Sequence, residues 1–149
     1  MKKILLLSLA LLSTKVFAAD IDLQCKRRGY DVVFEFIELR DSDIPYGYAE
    51  FYSVLFDNAG NVDWFLETGR RDTEWLDTEI IIWDSLGRSV IATIDRGTLE
   101  YAFGSNPFDR LKYDCEVIDN LEAKVKRWRE EKEAKEKAEK EAKKAKNVI

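Results

Sequence analysis

Histidine is absent from this chain of 149 residues. Its absence excludes Ser-His-Asp and Cys-His nucleophilic sites, histidine-based zinc sites and the general base that enzymes use most often. The only cysteines are Cys25 and Cys115, which are too few for a thiolate metal site and too far apart for a CxxC redox motif. We therefore expect no cofactor and no metal, and the composition favours a non-catalytic protein over an enzyme.

Long apolar runs are also missing, apart from one at the N-terminus. Residues 1–18 combine Lys2 and Lys3 with an apolar segment over 4–12 and small residues ending at Ala18, which is typical of a cleaved signal peptide. As a helix the apolar segment would span about 14 Å, well short of a hydrocarbon core of ~30 Å. We expect an exported protein, periplasmic or extracellular, with no membrane span after signal cleavage.

Lysine is scarce over most of the chain. Residues 19–118 contain 10 Lys and Arg against 21 Asp and Glu, a net charge of −11, whereas residues 119–149 contain 11 against 8, a net charge of +3. This change in composition predicts a boundary between a β domain over 19–118 and a charged segment over 119–149. Because phosphate neutralisation supplies much of the affinity for nucleic acid, the acidic part argues against a nucleic-acid partner.

Residues 19–118 consist of short alternating segments that turn residues separate, such as "DIDLQCKR", "YDVVFEFIELR" and "NVDWFLE". A period of two with β-branched and aromatic enrichment predicts strands, and no part of this region has a helical period over ten residues. We predict a mainly β fold, a small antiparallel β-barrel or sandwich of seven to eight strands, followed by one long charged C-terminal α-helix. In an exported chain, Cys25 and Cys115 predict a disulfide, which would suit barrel closure if the first and last strands are neighbours.

The segment after the β domain lacks glycine and proline and is rich in strong helix formers. Asp119 with Glu122 three residues later forms a candidate capping box, which predicts a helix from about residue 120 to about residue 146. Five Glu-to-Lys pairs at a spacing of four residues would support such a helix.

One face of this predicted helix carries Leu121, Val125 and Trp128, and we expect these residues to dock the helix on the β domain. The apolar face ends at Trp128, whereas a coiled coil needs such residues over several heptads. Three alternatives remain open: a solvated helix docked by its first turns, a self-associating coil and a disordered tail.

Carboxylates are the remaining candidates for chemistry. They form two groups in the sequence: Glu35, Glu38, Asp41 and Asp43, and Asp72, Glu74, Asp77 and Glu79. Two carboxylates held ~5–9 Å apart can hydrolyse glycosidic bonds, although a chain this acidic presents such pairs by composition alone. "DNAGNVD" departs from a calcium loop in placing Ala59 at the third position, so we predict a hairpin turn there. The tryptophans Trp64, Trp75 and Trp83 are either core residues or a ligand platform.

In its overall plan the predicted barrel resembles the C-type lysozyme inhibitors, which are small, exported, disulfide-closed barrels. Their Ser-Gly-x-x-Tyr inhibitory loop has no counterpart here, because Ser85 and Gly87 are not adjacent and no tyrosine follows them. The resemblance therefore concerns architecture and assigns no site residue.

The first functional hypothesis is an exported, non-catalytic barrel that binds a partner in the cell envelope or outside, with the helix as a spacer or accessory contact. The partner would be a protein, a small ligand or an envelope component, and the acidic domain would attract a basic target. We expect a monomer. The alternatives are a carboxylate-dependent hydrolase and a structural protein that oligomerises through its C-terminal helix.

Overall fold

Eight strands and one helix make up the computed structural model, which describes residues 20–41 and 46–148. The predicted signal peptide lies outside the described residues. The elements are β1 (Asp20–Arg27), β2 (Val33–Asp41), β3 (Tyr46–Phe56), β4 (Val62–Trp75), β5 (Glu79–Trp83), β6 (Val90–Asp95), β7 (Glu100–Phe103), β8 (Leu111–Ile118) and α1 (Leu121–Lys146).

Every strand pairs antiparallel with the next, and β8 returns to pair with β1, so the sheet closes into a barrel of eight strands. This confirms the predicted fold and decides between its two forms in favour of the barrel. Aspartates start three of the connections: Asp57, Asp84 and Asp95 each accept backbone N–H groups from residues two to four positions later. These hydrogen bonds lower the pKa of all three carboxyls and explain the tight hairpins.

The disulfide joins the two strands that close the barrel. Cys25 on β1 and Cys115 on β8 are register partners, and a disulfide bonds them across a sequence separation of 90 residues. The predicted disulfide is thereby confirmed, together with its expected place between the first and last strands.

The barrel interior is filled by buried apolar side chains from seven of the strands, and β4 adds the partly buried Trp75. Its buried members are Leu23, Cys25, Ile37, Leu39, Ala49, Phe51, Ile80, Ile82, Ala92, Ile94, Tyr101 and Tyr113. Aromatic rings from neighbouring strands meet inside it, for example Tyr101 and Tyr113, whose ring centroids lie 5.2 Å apart.

Strand β4 is much longer than its alternating sequence suggests. The predicted strand "NVDWFLE" continues through Gly69, where the register against β3 shifts by one residue and the backbone has φ +84°. Glycine adopts this left-handed conformation without strain, so it allows a β-bulge where the sequence alone indicates a break.

Helix α1 begins one residue later than the capping box predicts. Asn120, not Asp119, occupies the N-cap position, with φ 62° and no side-chain hydrogen bond to the helix. The predicted cap is therefore wrong. Left-handed backbone at Asn120 lets the chain turn sharply from β8, which ends at Ile118, and Leu121 is buried at the start of the helix.

Candidate binding surface

The first turns of α1 cover an aromatic patch on the outer face of β2, β3 and β4. The helix contributes its three buried residues, Leu121, Val125 and Trp128. The outer aromatic cluster, as we call this second core, contains Phe36, Tyr52, Val54, Phe65, Leu121, Val125 and Trp128, with Phe34, Phe56, Val62 and Ile118 packed against it. Strand β2 therefore has buried apolar side chains on both faces, because one face lines the barrel and the other supports the helix.

Trp128 lies at the centre of this cluster and is only 2% exposed. Its ring centroid is 4.8 Å from that of Phe36 and 5.8 Å from that of Phe65. The indole Nε1 has no hydrogen-bond partner among the described residues, and the neighbouring aromatic rings offer it only weak contacts. Packing, rather than hydrogen bonding, holds this residue in place.

The edge of β4 that faces away from β3 is open over most of its length. β4 has 14 residues, but β5 pairs only with Thr73, Glu74 and Trp75. Within the described ranges, no other strand pairs with residues 62–72 on that side. An open edge presents unpaired N–H and C=O groups, which another extended chain can bind.

Large apolar side chains stand along this open edge. Trp64 is 49% exposed and Leu66 is 41% exposed, although both occur in a regular strand. Their register partners on β3 are Leu55 and Ser53. The part of the β3–β4 hairpin that is nearest its turn thus presents apolar residues to solvent, on the face opposite the helix.

A groove of about 290 Å³ runs between the open edge and α1. Its strand wall is the continuous segment 62–66, and its helix wall includes Lys132, Lys135 and Glu139. Successive strand residues point to opposite faces, so a groove that touches all five of them follows the edge itself. We call this feature the edge groove. An ion pair between Arg129 and Glu67, at 2.5 Å, holds the helix beside it.

A second groove, of about 530 Å³, lies beside α1 next to β2 and the β3–β4 turn. Phe34, Phe36, Phe56 and Trp128 supply its aromatic wall. The helix adds two cations, Lys124 and Arg127. The rest of the lining consists of Gln24, Asp31, Val32 and the turn residues Asp57, Asn58 and Gly60. We call it the aromatic groove.

The sequence groups Glu35 with Glu38, but the fold separates them to opposite faces of β2. Glu35 pairs in register with Cys25 and faces the barrel interior, whereas Glu38 lies on the outer face between Asp22 and Glu50. Asp43 lies outside the described residues. The predicted carboxylate group therefore does not form a single site, because alternate strand residues face opposite ways.

A different carboxylate pair comes together on the outer face. Glu38 and Glu50 are direct cross-strand partners on β2 and β3. Burial raises the pKa of Glu38, against the effect of Arg40 at 3.4 Å. The pKa of Glu50 is lowered, mainly by its hydrogen bonds from Arg70. Neither carboxylate lines the edge groove or the aromatic groove.

The remaining candidates are dispersed. Trp75 packs against the barrel core and donates its indole N–H to Thr73 at 3.0 Å, so it is a structural residue. Trp83 lies at the end of β5, which pairs with the last residues of β4, whereas Trp64 lies near the start of β4. The three tryptophans therefore do not form one ligand platform. Asp57 and Gly60 form a hairpin turn, as predicted for "DNAGNVD".

No protein-family model, no curated protein and no solved structure matches this chain. Among the described residues, no helix combines the length and the apolar character needed to cross a bilayer. The same residues contain no group of three or more metal-binding side chains.

Sequence reasoning missed the open edge of β4. The residues that mark it are Trp64 and Leu66, whose alternation with acidic residues predicts a strand with one buried face. Their exposure depends on where β5 stops pairing, which is a property of the barrel's register. The sequence contains one signal of the open edge, which is the group of turn residues after Trp75. They are followed by a short strand, β5, and a strand of that length cannot pair with all 14 residues of β4.

Proposed function

We propose that this is an exported, non-catalytic protein that binds an extended segment of a partner protein along the open edge of β4. The observation that supports this proposal is a combination of three features. The edge of β4 is unpaired, Trp64 and Leu66 are exposed along it, and the helix forms a wall that makes the edge one side of a groove. An added strand would bond its backbone to β4, and its side chains would alternate between the two walls.

The two sides of the groove favour a particular kind of segment. Side chains on one face of the added strand would meet Trp64 and Leu66, which favours apolar residues. Side chains on the other face would meet the charged row of α1, and the acidic barrel would attract a basic partner from a distance. The expected target is an extended segment with apolar residues at alternate positions, carried by a basic protein.

The export part of this proposal rests on the signal-like segment 1–18 and on the disulfide. Disulfides persist in oxidising compartments such as the bacterial periplasm and the extracellular space, and are rare in the cytosol. Cell fractionation of the expressed full-length chain, followed by N-terminal sequencing, tests this point by asking whether residues 1–18 are removed.

A capture experiment with matched variants tests the binding proposal. The double variant Trp64→Ser/Leu66→Ser removes the apolar side chains of the edge, and Leu86→Ser, in an exposed turn remote from the edge groove, serves as the control. We expect the wild type and the control to retain the same protein from a cell-envelope extract. The double variant should bind it at least about tenfold more weakly, since two apolar contacts are lost.

Hydrogen exchange on the complex identifies the mode of binding. The amide hydrogens of β4 that face the open edge should exchange quickly in the free protein and become protected when the partner is bound. A captured partner that binds the double variant equally well, or that leaves these amides unprotected, contradicts strand addition.

The hydrolase alternative has one observation in its favour, which is the neighbouring carboxyls Glu38 and Glu50 with pKa values displaced in opposite directions. Such divergence is typical of an acid and base pair. However, Arg40 forms an ion pair with Glu38 and Arg70 forms one with Glu50. Neither the edge groove nor the aromatic groove is lined by these two carboxylates. Glycosidase activity that disappears in Glu38→Gln would favour this alternative over binding.

A further inference from the structure

The aromatic groove is separate from the proposed strand-binding edge and has its own chemistry. Phe34, Phe36, Phe56 and Trp128 give it an apolar wall, and α1 adds two cations on the solvent side. At about 530 Å³ it falls within the size range of small-molecule sites.

The groove also contains two acidic groups, Asp31 and Asp57. Asp31 lies 3.0 Å from Lys26, but its side chain is 96% exposed, so water screens both its charge and this pair. The carboxylate of Asp57 accepts the backbone N–H groups of Ala59 at 2.9 Å and of Asn61 at 2.8 Å, within its own turn. Among the described residues, neither aspartate forms an ion pair with Lys124 or Arg127.

The cations of the groove are much less engaged. Lys124 forms no ion pair among the described residues, and its Nζ lies 5.9 Å from the ring centroid of Phe36. Arg127 reaches only Glu131, at 3.6 Å, and both side chains are more than half exposed, so that pair contributes little. The groove thus combines two available cations with an aromatic wall on a protein whose barrel is strongly acidic.

We propose that the aromatic groove binds a small amphipathic organic anion, with its apolar body against the aromatic wall and its acidic group between Lys124 and Arg127. A carboxylate, sulfonate or phosphate would serve equally well as the acidic group, because each accepts charge-assisted hydrogen bonds from an ammonium and a guanidinium. The position of Lys124 over Phe36 places the positive charge directly beside the apolar surface, which suits a ligand whose charge adjoins its ring or chain.

Two fluorescent probes that differ in one anionic group test this site. The probes are 8-anilinonaphthalene-1-sulfonate, which is anionic, and N-phenyl-1-naphthylamine, which lacks the sulfonate and is neutral. We expect the folded full-length protein to bind the anionic probe at least about tenfold more tightly, as charge-assisted hydrogen bonds to a sulfonate predict. Circular dichroism at each probe concentration verifies that the barrel stays folded.

Matched helix variants locate the binding site. Lys124→Gln/Arg127→Gln should weaken binding of the anionic probe about tenfold or more and leave the neutral probe within about twofold. Lys126→Gln/Lys137→Gln removes two charges from exposed positions of the same helix that do not line the groove, and should change neither affinity by more than about twofold.

Three outcomes overturn the proposal: no binding of the anionic probe, equal binding of both probes, or equal loss in the Lys126→Gln/Lys137→Gln control and the Lys124→Gln/Arg127→Gln variant. The last outcome would assign the effect to general attraction by the helix. Because Trp64→Ser/Leu66→Ser leaves the aromatic groove intact, that variant should bind the probe normally, so failure of one proposal is distinguishable from failure of the other.

Discussion

At the scale of single residues, the most unusual side chain in the barrel is Glu35. It faces inward beside the disulfide, and its cross-strand partners are Cys25 and Ser53. Burial raises the pKa of its carboxyl, and a hydrogen bond with Ser53 partly opposes that effect. Burial raises the pKa of Tyr101 and of Tyr113, and the negative charge of Glu35 adds to both shifts. The partly buried carboxylate of Glu35 is therefore a cost that this barrel carries at neutral pH.

Glu35→Gln should stabilise the protein at neutral pH. The pKa of Glu35 is higher in the folded state than its ordinary value of 4.5, so the folded state binds the proton more readily than the unfolded chain. The stabilisation that comes from protonating Glu35 is complete at pH values below the pKa of this group in the unfolded chain. It is lost as the pH rises through the higher pKa of the group in the folded protein. The advantage of the variant should therefore be small at acidic pH and grow toward pH 7.

Chemical denaturation of both proteins at several pH values measures this difference. Glu133→Gln, at an exposed helix position, is the matched control and should give a difference near zero throughout. A Glu35→Gln variant that is less stable than the wild type at neutral pH would show that the ionised carboxylate has a favourable role inside the barrel.

At the scale of elements, α1 consists of two parts with different surroundings. Its first turns bury Leu121, Val125 and Trp128, whereas every described residue after Trp128 is exposed. None of the five Glu-to-Lys pairs that the sequence offers closes into an ion pair, and the pair within the helix is Arg127 with Glu131. Long solvated side chains gain little from such pairing, so composition alone overstated these contacts.

Shortened chains should separate these two parts of the helix. A chain that ends at residue 130 keeps the docked turns, so its free energy of unfolding should change by less than about 1 kcal/mol. A chain that ends at residue 119 loses Leu121, Val125 and Trp128 and should lose on the order of 5 kcal/mol or more, because aromatic surface becomes exposed. Thermal and chemical denaturation measure both changes.

The same shortened chains also test what the exposed part does. Because Glu131 to Glu139 form the helix wall of the edge groove, the chain ending at 130 should lose partner binding, and a chain ending at 140 should keep it. Light scattering should give each folded form the molar mass of its own monomer. A full-length chain with a multiple of the monomer mass, which becomes monomeric when residues 131–149 are removed, would instead support the structural protein that oligomerises through its helix.

The elements themselves were largely predictable, and the relations between them were not. Strand alternation, aspartate turns and the helix-forming tail follow from local chemistry, and so does the disulfide, given two cysteines in a compartment that allows it. The placement of Glu35 and Glu38 on opposite faces of β2 follows from strand geometry as well. The open edge required the lengths and registers of three strands at once, and the N-cap depended on a sharp turn out of β8.

At the scale of the whole molecule, closure of the barrel depends on its two most distant strands. β1 and β8 pair over six residues of β1, from Asp22 to Arg27. Of the strand pairings in the barrel, this one joins the residues that are farthest apart in the sequence. Without this pairing both strands would present open edges in addition to that of β4. The Cys25–Cys115 disulfide lies within this pairing and joins the two ends of the sheet covalently.

Removing the disulfide should therefore destabilise the entire barrel. A cross-link over a separation of 90 residues restricts the unfolded chain, and the chain-entropy treatment gives about 4–5 kcal/mol for a loop of that length. We expect Cys25→Ala/Cys115→Ala to lose about this much free energy of unfolding, measured by urea denaturation, and to remain folded because the β1–β8 hydrogen bonds persist. Alanine is preferable to serine at Cys25, which is fully buried, because alanine introduces no new polar group there.

Reduction of the wild type provides an independent version of this experiment. The reduced wild type keeps both sulfur atoms, so it separates loss of the cross-link from loss of packing volume. If closure is the cause, the reduced protein and the double variant should be destabilised by similar amounts, and neither should show a change in the core aromatic signal before unfolding. A loss below about 1 kcal/mol in both forms would mean that strand pairing alone closes this barrel and that the unfolded chain is already compact.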